Sequence, residues 1–347
     1  MSIKGLSSGA LFAKVKACST ELLSEEDYIK ASSCSDLSDF ASFLKNKTPY
    51  AKAFDGIGSS VRMTRLHLES VIKRMTLMRM EKIIRYASLT DDYVSDYFMM
   101  KHETECIISR LRQHGEYTLD SYLMYMPDGF FTGTSFDLKA LEHATDTASI
   151  LKAIEKTRYR EILAPILEKH EPGRWIPENL LYRNLYETGA ANFKKKLNAA
   201  DYEGVEELLS MLSDMITVNN IYRIKKYYPD SEEAMLLSIF SSSLTRFSNS
   251  QLSGLKRATN AKEFTDRLLD TKYKELSSLF NSPCGALFTK QYIYNVCKKR
   301  FIRTNNAALS ALCYSRLVNN EADNLISITE GICAETEPER ICAMLIK

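Results

Sequence analysis

The chain has 347 residues, 45% of them hydrophobic, with Lys+Arg 46 set against Asp+Glu 44. That length holds two or three domains with substantial cores, and the balanced charge excludes the dominating basic footprint of a nucleic-acid binder. Eight prolines and 13 glycines are too few to punctuate a β-rich chain, which favours long helices.

Near the N-terminus, Lys14 and Lys16 interrupt a short apolar stretch, so no secretory signal is expected. Ser24-Glu25-Glu26-Asp27 reads as a helix start, a serine cap followed by early carboxylates. Gly56-Ile57-Gly58-Ser59 is a turn. Residues 59–87 then place Val61, Leu68, Val71, Ile72, Met75, Met78 and Ile83 at helical spacing with charges between them. The same pattern predicts helices over 91–113, 177–197, 201–228, 286–303 and 306–331. Residues 115–134, 171–175 and 241–253 read as loop-rich breaks. Thr336-Glu337-Pro338-Glu339 has capping-box spacing with proline in the first turn, opening a last helix to about Lys347. No segment reads as a strand. No apolar run approaches the ~18 residues of a membrane span, so a soluble chain that meets a membrane only through partners is expected. The cysteines Cys18, Cys34, Cys106, Cys284, Cys297, Cys313, Cys333 and Cys342 form no CxxC pair and read as reduced thiols acting as small hydrophobes.

An internal repeat overlies these helices. Thr48-Pro49-Tyr50, Thr157-Arg158-Tyr159 and Thr271-Lys272-Tyr273 each follow a short amphipathic helix, ending near Leu44, Ile154 and Leu269. Downstream of each lies a long helix with an acid, a small polar residue three later and then apolar residues: Glu103…Cys106-Ile107, Asp214…Thr217-Val218 and Glu321…Asn324-Leu325. Arg112 and Arg223 share an offset from their acids, where the third copy has Glu330. A period of about 110 residues exceeds that of TPR, HEAT or armadillo repeats and is the length of a domain. The expected fold is all-α, with three homologous helical domains at 1–115, 116–229 and 230–347, the last with a C-terminal capping helix, related by a pseudo-threefold axis. The T-x-Y tyrosines are expected to pack between helices with their hydroxyls paired.

These elements resemble the C-type subunits of V/A-type ATPases, whose eukaryotic equivalents are called d. That family carries L-x-x-T-x-Y elements and acidic-x-x-Asn-Ile/Leu helices ending in Leu-Arg or Tyr-Arg. The stretches Glu103-Thr104-Glu105-Cys106-Ile107 to Leu111-Arg112, Asp214-Met215-Ile216-Thr217 to Tyr222-Arg223 and Glu321-Ala322-Asp323-Asn324-Leu325 to Gly331 stand here in family order, behind a similar opening at Ala10–Ala17 and Leu22–Tyr28. Cys106 and Thr217 replace the usual Asn, and one extra residue precedes Thr48. The resemblance implies a funnel-shaped, non-catalytic adapter of a rotary motor. It would join central-shaft subunits of D and F type to the membrane proteolipid ring as a single copy in a hetero-oligomer. Its place would be peripheral, on the cytoplasmic side of the membrane. It implies torque transmission for proton or sodium transport, with no catalytic, cofactor or metal residue and no nucleic-acid partner.

Other chemistry finds little support. G-x-x-x-x-G-K-[ST] and G-x-G-x-x-G loops are absent. His67, His102, His114, His143 and His170 form no HExxH, and no cysteine pair has zinc spacing. Ser42…Lys45 and Ser253…Lys256 match S-x-x-K without its companion motifs. The rival enzyme reading is a helical Mg²⁺-dependent, terpene-synthase-like site built from Asp91-Asp92…Asp96 and Asp323-Asn324…Glu330, but its spacings depart from DDxxD and its partner motif. A generic helical-repeat scaffold is the other alternative. Arg62, Arg65, Lys73, Arg74, Arg79, Lys82 and Arg85, together with Lys194-Lys195-Lys196 and Lys298-Lys299-Arg300, are either solvated helix faces or a surface for acidic partners. Met75, Met78, Met80, Met99 and Met100 read as core filler.

Overall fold

The computed structural model describes residues 3–57, 63–112, 133–168, 175–227, 242–279 and 287–347, and every regular element among them is helical. In chain order these are α1 (Ile3–Ser19), α2 (Glu25–Ser32), α3 (Leu37–Lys47), a 3-10 turn (Pro49–Phe54), α4 (Arg65–Thr90) and α5 (Asp92–Arg112). Then follow α6 (Leu138–Glu142), α7 (Thr147–Ala153), α8 (Arg158–Leu167), α9 (Trp175–Lys196) and α10 (Ala199–Tyr227). The last are α11 (Asn249–Arg257), α12 (Ala261–Leu268), α13 (Leu276–Leu279), α14 (Phe288–Arg303), α15 (Ala307–Cys333) and α16 (Pro338–Met344). The chain is all-α.

Local chemistry explains most of the boundaries. Ser24 caps α2 in a full capping box with Asp27, as its sequence predicts. Gly56 takes a left-handed φ of 84°, open to glycine without a Cβ penalty, and so turns the chain after the 3-10 segment. Thr64 caps α4, which runs past the predicted end at 87 to Thr90. Two expectations need correction. Part of the predicted break at 241–253 is helix, because Ser248 and Gln251 form a capping box that starts α11. The serines there cap a helix instead of breaking one. The expected Thr336–Glu339 box does not form: Glu337 is the N-cap residue of α16, without a side-chain cap bond, and the Thr336 N–H goes to the Gly331 carbonyl. Pro338 in the first turn is enough to start that helix. The break at 115–132, the start of the predicted helix at 59–62 and most of the break at 171–175 lie outside the described residues.

The described chain divides into two compact units. The first takes residues 3–95 and 287–347, so it joins the two ends of the sequence. α15 runs through it, packed by α1, α4 and α14, with α2, α3 and α16 against its second half. Its first half is buried on every side from Ala307 to Ser315, as a core helix must be. Ala307, Ala308, Ser310, Ala311 and Cys313 keep that part thin enough for three neighbours. Further on, Leu325 and Ile328 meet Phe40, Leu44, Tyr50, Val71, Ile72 and Met75 in one apolar cluster.

The second unit holds residues 96–112 and 133–279. Here α10 is the enclosed helix, buried all round from Leu208 to Met215. It packs against α9 and α12; α8 lies on α9, and α11 on α12. Of the methionines read as core filler, Met75, Met80 and Met100 are buried, while Met78 and Met99 are half-buried. Cys18, Cys106, Cys297 and Cys313 are free buried thiols, while the free thiol of Cys333 is exposed.

Candidate functional site: three tyrosine–carboxylate clasps

The three T-x-Y elements are built alike. The Thr48 hydroxyl donates to the Leu44 carbonyl at 2.7 Å, Thr157 to Ile154 at 2.7 Å, and Thr271 to Leu268 at 2.7 Å. In the first and third copies the same threonine oxygen accepts the tyrosine N–H, at 3.2 and 3.1 Å. Each threonine thus closes the end of one short helix and turns the chain into the next. The extra residue before Thr48 is absorbed by reaching back four residues instead of three. The following tyrosine is driven inward, and Tyr50, Tyr159 and Tyr273 are all fully buried.

A buried ring of this size gains roughly 2 kcal/mol from its apolar surface, but an unpaired hydroxyl would cost about 1–3 kcal/mol. The repeated acids remove that cost. Tyr50 Oη donates to Glu321 Oε1 at 2.9 Å, Tyr159 to Glu103 Oε2 at 2.7 Å, and Tyr273 to Asp214 Oδ2 at 2.6 Å. Each acid also accepts a backbone N–H from the loop entering the next set of short helices: Leu23 to Glu321, Ser135 to Glu103 and Arg246 to Asp214. One carboxylate therefore ties down both ends of a short-helix segment. The rigid base is a long helix; the tethered parts are the loop before α2, α6 or α11 and the T-x-Y turn.

Chain order conceals this pairing. Each acid in α5 and α10 binds the tyrosine that follows it, 56 and 59 residues on, not the T-x-Y tyrosine that precedes it. The third acid, Glu321, binds the first tyrosine across 271 residues.

The electrostatics follow from burial. Tyr50 is held well above the ordinary phenol range by burial first and by Glu321 second, and Tyr159 is raised by burial and Glu103. Burial also raises Asp214, against the opposing bonds from Thr245, Tyr273 and the Arg246 N–H. Glu321 has a further partner, the Arg79 guanidinium, itself 1% exposed. Burial, the largest single effect, pushes Arg79 down, but the charge and hydrogen bond of Glu321 together with Tyr50 and Tyr314 leave the guanidinium raised. Arg79 also donates to the Glu21 carbonyl and lies 5.3 Å from the Tyr50 ring centre. These tyrosines and acids are locked in mutual hydrogen bonds, an arrangement suited to rigidity.

The basic run of α4 is therefore not one solvated face. Arg79 is core, Arg74 binds the Ala53 and Asp55 carbonyls, and Lys82 reaches Glu21. Arg65 and Lys73 remain exposed and pair with Glu69, and Arg85 pairs with Glu81. Spacing could have revealed Arg79: it stands four residues after Met75 and four before Ile83, on the apolar stripe. A second signal went unread. Thr134-Ser135-Phe136-Asp137 and Thr245-Arg246-Phe247-Ser248 are copies of one entry loop, and each phenylalanine packs edge-on against the T-x-Y tyrosine of its clasp, at 6.2 and 5.0 Å.

At the position three after each acid, only Asn324 reaches a distant partner among the described residues. Its side chain brackets Ile346, donating to the carbonyl at 2.8 Å and accepting the N–H at 3.0 Å. Thr217 bonds within its own helix to Ser213, and Cys106 lies buried beside His102. Of the acids in the rival enzyme reading, Asp91 binds the Tyr93 hydroxyl at the α4–α5 junction, Asp323 pairs with Lys290 and Glu330 with Arg65. Among the described residues no group of three or more His, Cys, Asp or Glu could hold a metal ion.

The family model for the ATP synthase (C/AC39) subunit matches residues 11–344, a span that contains all three clasps. The chain belongs to this family. No individual curated protein matches it. As a C/AC39 subunit it is part of a V/A-type rotary ATPase, and among its described residues no helix is long and apolar enough to cross a membrane.

Proposed function

We propose that this C/AC39 subunit is the non-catalytic adapter of the motor's central stalk. It links shaft subunits of D and F type to the membrane proteolipid ring and carries torque between them. It sits on the cytoplasmic side, touches the membrane only through the ring, and holds no cofactor. Three copies of one helical unit, divided near residues 115 and 229, make up this adapter. The family match over residues 11–344 carries the reading. The clasps support it, since a part that transmits torque must resist shear between its helices, and buried, mutually hydrogen-bonded polar groups fix helix positions more uniquely than apolar packing alone.

The test is affinity capture of the tagged chain from detergent-solubilised membranes. Shaft and proteolipid subunits are expected to come with it, and their joint absence defeats the proposal. A second measurement concerns coupling. Leu325 is fully buried in α15, and Leu325→Asp places an unpaired carboxylate there at a cost of several kcal/mol. ATP hydrolysis by the catalytic head is expected to continue while ion movement falls. Full coupling in an assembled Leu325→Asp complex would remove α15 from the torque path.

A further inference from the structure

In the second unit the loop before α11 is held by two acids. Asp214 of α10 binds the Thr245 hydroxyl and the Arg246 N–H. Glu187 of α9 accepts the Ser242 hydroxyl at 3.1 Å and the Ser243 N–H and hydroxyl, each at 2.9 Å. Ser242 also lines a cavity of about 20 Å³, together with Asn179, Arg183 and Tyr186 of α9 and Ser213 and Thr217 of α10. Asn179 is only 8% exposed. Its Oδ1 accepts from Asn220 Nδ2 at 2.7 Å, while its Nδ2 has no partner among the described residues. Two facing amides use one polar atom each, so one Asn179 atom is left over in either sense of that bond. Buried polar atoms are costly to leave unpaired and are rarely left so.

We propose that this cavity is a binding site for one water molecule, which pairs the spare Asn179 atom and bonds onward to a hydroxyl of α10 or of Ser242. Size favours this ligand: a water needs roughly 10–15 Å³ and two to four polar partners, so about 20 Å³ admits one. Charge favours it too. The unpaired group is a neutral amide, and Arg183 already pairs with Glu187 at 3.3 Å, so nothing in the lining calls for an ion. The first unit shows what the water replaces. There Asn324, three residues after its clasp acid, brackets Ile346 with its own amide. Thr217, three residues after Asp214, has the shorter side chain, and its hydroxyl turns back to the Ser213 carbonyl at 3.3 Å. That hydroxyl oxygen can still accept a bond. The water is the bridge that a longer side chain at 217 would make directly.

The test is a crystal structure of the full chain, from two unrelated crystallisation salts, at a resolution that shows ordered waters. The expected result in both is one peak of density about 3 Å from the Asn179 side-chain amide and from a hydroxyl of Ser213, Thr217 or Ser242. The proposal is overturned if no peak stands there, if a protein group bonds the spare Asn179 atom directly, or if the peak appears with one salt only, as an adventitious ion. Thr217→Asn supplies the second measurement. Its longer amide is expected to expel the water and bond Asn179 or the Ser242 segment itself. A peak that persists at full occupancy beside the new side chain would overturn the water's role as the substitute for that amide.

Discussion

The clasp of the first unit and the two clasps of the second unit solve one problem with different electrostatics. Glu321 is buried with a guanidinium against it, so a full ion pair sits in the core. Glu103 and Asp214 bind only neutral donors among the described residues. Arg246 offers Asp214 its backbone N–H, while its guanidinium turns to Glu207 at 3.7 Å. The difference teaches that tying an entry loop and a T-x-Y turn to a long helix needs hydrogen bonds alone. The ion pair is an addition where α4 and α15 cross, and it makes that clasp the one least able to lose a member. Removing one partner of a buried pair strands a charge, which costs more than stranding a dipole.

The largest expected effect is therefore Arg79→Met, which keeps the volume but leaves Glu321 without its cation: a loss of about 3–5 kcal/mol, read from the urea midpoint. A cost no greater than that of Asp214→Ala would break the comparison. Asp214→Ala in turn orphans Tyr273, Thr245 and the Arg246 N–H, an expected loss of about 2–3 kcal/mol. Single hydroxyl deletions sharpen the contrast. Tyr273→Phe is expected to cost about 1.5–2 kcal/mol, whereas Tyr50→Phe costs under about 1 kcal/mol, because Glu321 keeps Arg79. Equal losses would mean that the guanidinium does not compensate.

Smaller still is a pH effect confined to the second unit. Burial raises the Asp214 pKa above its ordinary 3.8, so the native chain holds that proton more tightly than the unfolded one. Its contribution to stability is whole below 3.8 and is lost as pH rises through the raised native value. As pH rises above the ordinary 3.8, the wild-type midpoint should decline relative to that of Asp214→Asn. A relative rise would show that the native site prefers the ionised form. The smallest effect belongs to Arg65→Ala. Its pair with Glu330 joins the same two helices as Arg79–Glu321, but both side chains are about half exposed, 51% and 52%. A change of at most about 0.5 kcal/mol is expected, and a larger one would erase the distinction between buried and exposed pairs.

Much of the architecture was legible because local spacing encodes it. Apolar residues at helical intervals marked the long helices, Ser24 and Asp27 marked the start of α2, and the three T-x-Y elements and their acids stood out as repeats. Two readings went wrong where one residue type serves opposite ends. Ser248 looked like loop and is a cap. Arg79 counted as surface charge by type, although its position on the apolar stripe assigned it to the core.

The partner of each acid could not be read from the sequence. The sequence alone determined which residues must leave water, since periodicity and turn chemistry act over a few positions. Only the tertiary structure decided that Glu321 meets Tyr50 and Leu23 from the far end of the chain, and that Glu103 and Asp214 look forward to Tyr159 and Tyr273. A buried carboxylate takes whichever donors packing brings within about 3 Å, and that choice is settled by helices meeting in space, not by their order along the chain.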